Sequence, residues 1–519
     1  MKKAIYLIIA LIGLSAPSCS DSMLDFSPTD SGSGKELLKS ASTAITSVNG
    51  VYRSMWTAGW STTANTHQCF GIAAYNLALD CMADDLIMQS QGNGWFWGDH
   101  CYNVKSNYTS SAFRSYDVWY ANYKWIANVN YIIDAEPEMA GTEADVAYVA
   151  GQAYAIRALC YLNLATWFSR APYNPLTGAS RWNEACVPVY TTGTSIDTGG
   201  QPRESLRTVY GRIDQDIDRA IELLEKARET TLAENNKSHI NLYVALGIKS
   251  RACLAEGDWD GAFKAAKRVI DEGGYAVGTK SDLTGGMNSL DKQNVMWGAG
   301  IQVADQAGGY AGFFTHMDNK EGAYAKSAPK LISKQLYNRI SATDIRRDWW
   351  DPSDKESPYV SKKFSFGNVA SFLGDYIYMR VEEMYFTAAE AALRLDDLKS
   401  ARELMNTVMA ERDPGYSANN RSGTLLGATT TTWTGSFLEN ILTHRRIELW
   451  GEYGRLFDVR RLGQGIDRRT DDGFSEECIS MMNRRNVNIT KADTYDWVLT
   501  IPKAELDANP NINEEDQNP

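Results

Sequence analysis

The sequence predicts a mostly α-helical scaffold of tetratricopeptide-type helical hairpins carrying long irregular inserts. Three observations predict it. Two segments show small and apolar residues at helical spacing on both sides of a tight polar turn. One long run, Thr142 to Phe168, keeps a helical period without Pro. Between these runs lie stretches rich in Gly, Ser, Lys and aromatics, with no sustained period.

The elements follow in chain order. Lys2 and Lys3 precede an apolar run from Ala4 to Leu14, then Ser15, Ala16, Ser18 and Cys19. The run is too short to span a bilayer, so residues 1–18 read as an export signal. A cysteine in that place fits a bacterial lipoprotein signal, with Cys19 as the lipidated terminus. Ala16 and Pro17 depart from the usual box, and ordinary cleavage near Ser18 is the alternative. Residues 19–34 read as a flexible tether. Residues 35–519 then form a single helical domain.

Lys35 to Trp56, Phe113 to Asp134 and Leu206 to Ala227 read as helices. In Thr142 to Phe168, Thr142 and Asp145 suit an N-terminal cap, and the end from Leu159 is apolar nearly all round. The first hairpin is His239 to Asp271, with Leu242, Ala245, Leu246 and Ala252 before a Glu256–Trp259 turn and Ala262, Ala265, Ala266 and Val269 after it. The second is Tyr378 to Arg412, with Ala388, Ala389, Ala391 and Ala392, a Leu395–Asp397 turn, then Ala401, Leu404 and Val408. Such hairpins need neighbours to bury their faces. Inserts fall near residues 173–200, 273–375 and 413–436, where loops on a rigid scaffold place binding sites.

Composition narrows the function classes. The chain has 519 residues, 52 Lys+Arg against 64 Asp+Glu and a formal charge of -12. Loss of Lys2 and Lys3 with the signal makes that -14. An acidic chain argues against nucleic-acid binding and favours a neutral ligand over an acidic one. Seven further Cys show no metal spacing; Cys69, Cys81 and Cys101 lie close enough in sequence for one bridge. Five scattered His, and the absence of HExxH, Walker A, GxSxG and GxGxxG motifs, point to no metal, no cofactor and no catalytic residue. Asp258-Trp259-Asp260-Gly261 echoes a calcium loop but fits the hairpin turn better. Asp84 and Asp85 are adjacent and would diverge on a helix.

Aromatic residues are abundant, at 15 Trp, 27 Tyr and 15 Phe. Most fall in helical runs. The exception is Gln89-Ser90-Gln91-Gly92-Asn93-Gly94-Trp95-Phe96-Trp97-Gly98-Asp99-His100. Three consecutive rings flanked by Gly and amides cannot all face one core. Sugar rings have apolar C–H faces for aromatic stacking and hydroxyl rims for polar side chains. Trp95 or Trp97 is expected as the platform, with Asn93 and Asp99 as polar partners. Tyr310 and Phe313, with Phe314, form a second candidate cluster after Gly308-Gly309; a hydrophobic plug for the loop explains it as well.

The C-terminal half carries a recognisable pattern. The run from His444 to Gly463, His-Arg-Arg-Ile-Glu-Leu-Trp-Gly-Glu-Tyr-Gly-Arg-Leu-Phe-Asp-Val-Arg-Arg-Leu-Gly, resembles the signature of the SusD/RagB family of Bacteroidetes outer-membrane nutrient-binding lipoproteins. Ile501-Pro502 to Asn509-Pro510-Asn511, Arg380-Val381-Glu382-Glu383 and Phe168-Ser169-Arg170-Ala171-Pro172 are similar to further family segments. Read from the residues alone, Arg445, Glu448, Glu452, Arg455 and Asp458 form an ion-pair network clamping this helix to the hairpins. The resemblance implies a surface glycan-binding lipoprotein in the outer membrane, held through its lipid anchor and without catalysis. It would pass oligosaccharides to a SusC-like TonB-dependent transporter, and a stacking Trp would sit in a loop after Ala83-Asp84-Asp85. A peptide-binding member of the family and a helical-toroid glycosidase are the alternatives.

Overall fold

Several of the long helices begin where the sequence supplies a side-chain oxygen to an orphan N–H. The computed structural model describes residues 34–57, 66–103, 113–195, 197–233, 236–303 and 311–519. Cys19 and Tyr310 lie outside the described residues. Helices of seven residues or more are α1 (Ala41–Ser54), α2 (Ile72–Met82), α3 (Phe113–Ala135), α4 (Glu143–Phe168), α5 (Leu206–Lys226), α6 (Leu242–Glu256), α7 (Trp259–Glu272), α8 (Val381–Arg394), α9 (Leu398–Ala410), α10 (Phe437–Glu448), α11 (Arg455–Arg461) and α12 (Glu476–Arg484). Thr142 caps α4 by accepting from the Asp145 N–H at 3.1 Å, as its position predicts. Ser205, Asn241, Asp258, Asp397 and Ser436 do the same for α5, α6, α7, α9 and α10. Asp258 therefore spends its carboxylate on a cap, in keeping with the hairpin reading of its segment.

Helices α3 to α9 pack in a row, each against the next in sequence. Both hairpins take their expected form. Gly257 closes α6 in the left-handed region at φ 78°, the usual glycine stop. Asp396 makes the equivalent turn after α8 at φ 62°. Ala388, Ala389, Ala391 and Ala392 are all buried, letting α8 lie between α7 and α9. Helix α1 packs on α3 and α4, α10 on α8, and α11 on α2. The row is interrupted in sequence but not in space: α7 touches α8 across an insert of about a hundred residues.

Short strands tie that insert down, and one further pair lies outside it. The strands are β1 (Leu86–Met88), β2 (Tyr173–Asn174), β3 (Ala179–Ser180), β4 (Val295–Ala299), β5 (Lys330–Ile332), β6 (Trp350–Asp351), β7 (Val360–Ser361) and β8 (Tyr376–Arg380), of which β2 and β3 form the outside pair. β4 pairs antiparallel with β8, which runs directly into α8. β5 pairs antiparallel with β1, with Leu86 opposite Ile332, in a sheet of order β1-β5-β7-β6. The second pairing brings the insert against the segment that follows α2.

Buried charge fixes the C-terminal signature. The Glu448 carboxylate accepts from Arg346 and Arg380 at 3.0 Å and from Arg412 at 2.9 Å, with all four side chains inaccessible to solvent. Glu452 accepts from Arg380 at 2.7 Å and Lys363 at 2.5 Å. Arg445 donates instead to Asp458 at 2.8 Å. So the partners of Glu448 and Glu452 come from other segments, whereas Asp458 also accepts from Arg461, three residues along its own helix, at 2.7 Å. Asp84 and Asp85 are not on a helix, because α2 ends at Met82. Contrary to the expected divergence, both converge on Arg446 and Arg455 at 2.5–3.2 Å. The seven cysteines from Cys69 onward are buried free thiols, so Cys69, Cys81 and Cys101 form no bridge.

Candidate functional site

β1 leads directly into the aromatic loop. Gln89 to Asn93 are exposed. Gly92 sits at φ 50°, and a Cβ there would lie 2.6 Å from the Ser327 carbonyl oxygen and 2.8 Å from the Ala328 Cβ. Only glycine lets the loop lie this close to the short helix Ala323–Ser327 of the insert. Phe96 then adopts φ 61°, rare for a bulky residue. Its N–H donates to Gln68 Oε1 at 2.7 Å, which holds the turn.

This reversal splits the three rings. Phe96 and Trp97 enter the core, whereas Trp95 stays half-buried. Trp95 stacks on His67 with centroids 5.0 Å apart and planes at 9°. Tyr324 approaches it edge-on at 6.0 Å, and the Tyr324 hydroxyl is hydrogen-bonded to His67 Nδ1 at 2.5 Å. His316 Nε2 donates to the His67 carbonyl at 2.6 Å, so the His67 backbone is held from beneath. Burial, with the nearby Lys330 charge, holds His316 well below the ordinary imidazole range and keeps it neutral.

The structure therefore reassigns three of the expected ligand residues. Trp97 is 3% exposed and packs beside His100 at 5.6 Å. Asp99 is fully buried and accepts two bonds from Arg114, at 2.8 and 3.0 Å. Its charge offsets a buried guanidinium and cannot also face a ligand. Phe313 is buried against Phe314, Phe364 and Tyr376, so it plugs the insert. Asn93 and Trp95 remain at the surface. His67 and Tyr324 join Trp95 although 257 residues separate them. A lone His and a lone Tyr carry no sequence signal for that meeting; the β1–β5 pairing produces it.

A cleft of about 850 Å³ opens on the same insert. Lys320, Lys326, Asp351, Asp354, Glu356 and Phe366 are among its walls. Trp95 does not line it, but both use the helix Ala323–Ser327: Tyr324 touches Trp95 and Lys326 borders the cleft. Hydrogen bonds from the Ser353 hydroxyl and N–H hold Asp351 below the usual carboxylate range, so it is an ionised acceptor at neutral pH. The arrangement can stack a ring and hydrogen-bond hydroxyls along its rim. Asp84 and Asp85, the adjacent acids, are both buried and paired with Arg446 and Arg455. Among the described residues no group of three or more His, Cys, Asp or Glu could hold a metal ion.

Two family models match the chain. One, described as the SusD family, covers residues 323–519. The other, described as starch-binding associating with outer membrane, covers residues 43–254. No curated protein matches. Among solved structures, a SusD-like carbohydrate binding protein from Bacteroides vulgatus is 25% identical, with a TM-score of 0.74 over 92% of this chain and 98% of that one. A SusD superfamily protein from Bacteroides thetaiotaomicron is 22% identical, with a TM-score of 0.72 over 92% and 100%. Surface glycan-binding protein A from Bacteroides thetaiotaomicron, in complex with laminarihexaose, is 16% identical, with a TM-score of 0.63 over 92% and 99%. Among the described residues no helix is long and apolar enough to cross a membrane.

Proposed function

We propose, from the premise that this chain belongs to the SusD family, that it is a surface glycan-binding lipoprotein without catalytic activity. It captures oligosaccharides at the outer membrane and passes them to a partner TonB-dependent transporter of the SusC type. Cys19 carries the lipid that anchors it. The observation that carries the reading is Trp95, the one ring of its triplet left at the surface, braced by His67 and Tyr324 beside an exposed amide-rich loop.

The chemistry follows from that geometry. The apolar C–H face of a sugar stacks on an indole already fixed in orientation, so little ordering entropy is lost on binding. Gln89, Gln91 and Asn93 hydrogen-bond the hydroxyl rim, and the polar cleft beyond Ala323–Ser327 accepts further residues of a chain. The excess of acidic residues suits a neutral glycan. A relative of the same fold is held in complex with laminarihexaose, a neutral hexasaccharide.

Native electrophoresis through gels containing soluble starch, laminarin, xyloglucan or galactomannan tests the reading. At least one gel retards the wild type, Trp95→Ala weakens that retardation, and incubation releases no new reducing ends. Retardation by none of the gels refutes glycan binding, and reducing-end release refutes a purely binding role.

A further inference from the structure

A second cleft, of about 460 Å³, forms where three segments distant in sequence meet. Helix α3 supplies Trp119, Tyr120 and Tyr123; the insert after β3 supplies Tyr190; the short helix Lys503–Ala508 supplies Glu505. The size falls within the range of small-ligand sites, about 300–1,000 Å³. These residues come from segments other than the Trp95 loop and the Ala323–Ser327 helix.

The aromatic wall is fixed before any ligand arrives. The Tyr123 hydroxyl donates to the Pro188 carbonyl at 2.7 Å, and the Tyr190 hydroxyl accepts from the Gln201 N–H at 3.0 Å. Tyr123 meets Tyr190 edge-on at 5.9 Å and lies tilted by 48° against Trp119 at 4.9 Å. Tyr116, Tyr120 and Tyr123 share one face of α3, and Tyr116 stacks on Tyr120 at 5.6 Å and 11°. The hydroxyls of Tyr123 and Tyr190 thus hold their rings in place, and Tyr116, Tyr120, Tyr123 and Tyr190 leave a ridge of half-buried aromatic surface.

The rim is polar and close to neutral. Glu505 accepts from Trp119 Nε1 at 3.2 Å and from Asn509 Nδ2 at 2.8 Å, one bond to each oxygen. A carboxylate has about four acceptor positions, so each oxygen can take another donor. Lys124 supplies an ammonium 5.5 Å from the Tyr120 ring, and Thr194, Ser195 and Thr198 supply hydroxyls. Rings with apolar faces, one carboxylate, one ammonium and several hydroxyls match a neutral sugar chain better than an anion or a purely apolar ligand.

We infer that this cleft is a second carbohydrate-binding site, independent of Trp95 and taking a neutral oligosaccharide; the inference rests on the glycan-binding reading above. Two sites on one chain raise retention on a polymer through avidity, because the second contact becomes intramolecular. The same four gels test it with Tyr120→Ala, Lys124→Ala, Trp95→Ala and the Tyr120→Ala/Trp95→Ala pair, circular dichroism confirming the fold of each. Tyr120→Ala is expected to weaken retardation roughly two- to tenfold, the worth of one stacked ring. The double variant is expected to lose more than either single one. Where Tyr120→Ala does not fold, Lys124→Ala gives the same reading from the rim. If Trp95→Ala weakens retardation while Tyr120→Ala and Lys124→Ala leave it unchanged in every gel, the second site is refuted and the first stands. If the wild type is retarded by no gel, both readings fall together.

Discussion

Replacing Glu448 with Gln removes the negative charge that three buried guanidiniums share. The carboxylate accepts from Arg346, Arg380 and Arg412 at 2.9–3.0 Å, and none of the four side chains reaches solvent. Each arginine keeps at least one other acid: Arg346 has Asp344, Arg380 has Glu452 and Glu382, and Arg412 has Glu382. The loss is therefore of one charge in a network, not of the only partner of any cation. Removing one member of a buried pair costs about 3–5 kcal/mol. With an unfolding entropy of about 2.1 cal/mol/K per residue, a chain of this length melts with roughly 1 kcal/mol/K, so Tm falls by about 3–5 °C. Differential scanning calorimetry at pH 7 measures it. Asp260→Asn is the control, because its 2.6 Å pair with Lys264 is solvent-exposed and worth less than about 1 kcal/mol. The pH dependence adds a second check. Burial pushes the Glu448 carboxyl up, but Arg412, Arg380 and Arg346 more than cancel this and hold it well below the usual range. A depressed folded pKa gives stability that is full above the unfolded value of about 4.3 and is lost as pH falls below it. The gap between wild type and Glu448→Gln should thus close on acidification below about pH 4. A Tm within 1 °C of wild type at pH 7, or a gap that widens in acid, refutes this account of the signature helix.

Two nearby aspartates should respond to pH with opposite sign. Burial raises Asp80 to about 8, so the difference in Tm between Asp80→Asn and wild type should grow in favour of the variant from about pH 4 to pH 8. Asp84 is pushed up by burial but brought down to about 2 by Arg455 and Arg446, so Asp84→Asn should be less stable at pH 7 and recover relative to wild type only below about pH 4. Gly92→Ala places a Cβ 2.6 Å from the Ser327 oxygen at a positive φ; strain of about 1–3 kcal/mol should displace the aromatic loop and weaken gel retardation, with Tm little changed. Asp99→Ala strips a buried Arg114 of its bidentate partner, and calorimetry should show a loss of about 3–5 kcal/mol. Unchanged Tm in that variant would restore Asp99 as a candidate ligand contact.

Much of the scaffold is legible because helices are local. Thr142 caps α4 and Gly257 ends α6 at the positions their residue types indicate, since those bonds are satisfied within three or four residues. The alanines of α8 announce close packing, although not that α7 would be its neighbour across the long insert. The ionic role of the signature helix is readable from its alternating charges, but not its partners: Glu448 meets arginines from three other segments.

The candidate site divides the same way. The sequence by itself determined that the Gln89–His100 loop is exceptional, because three rings and six amides or glycines cannot be buried together. It could not say which ring stays out, because that depends on one backbone angle, φ 61° at Phe96, held by the Gln68 side chain. Nor could it foresee Asp99 on Arg114, or His67 and Tyr324 around Trp95. Periodicity, caps and turns are properties of neighbouring residues, and the chain displays them directly. Burial of a particular ring and pairing of a particular charge are settled between segments hundreds of residues apart, and only the packed tertiary structure brings those segments together.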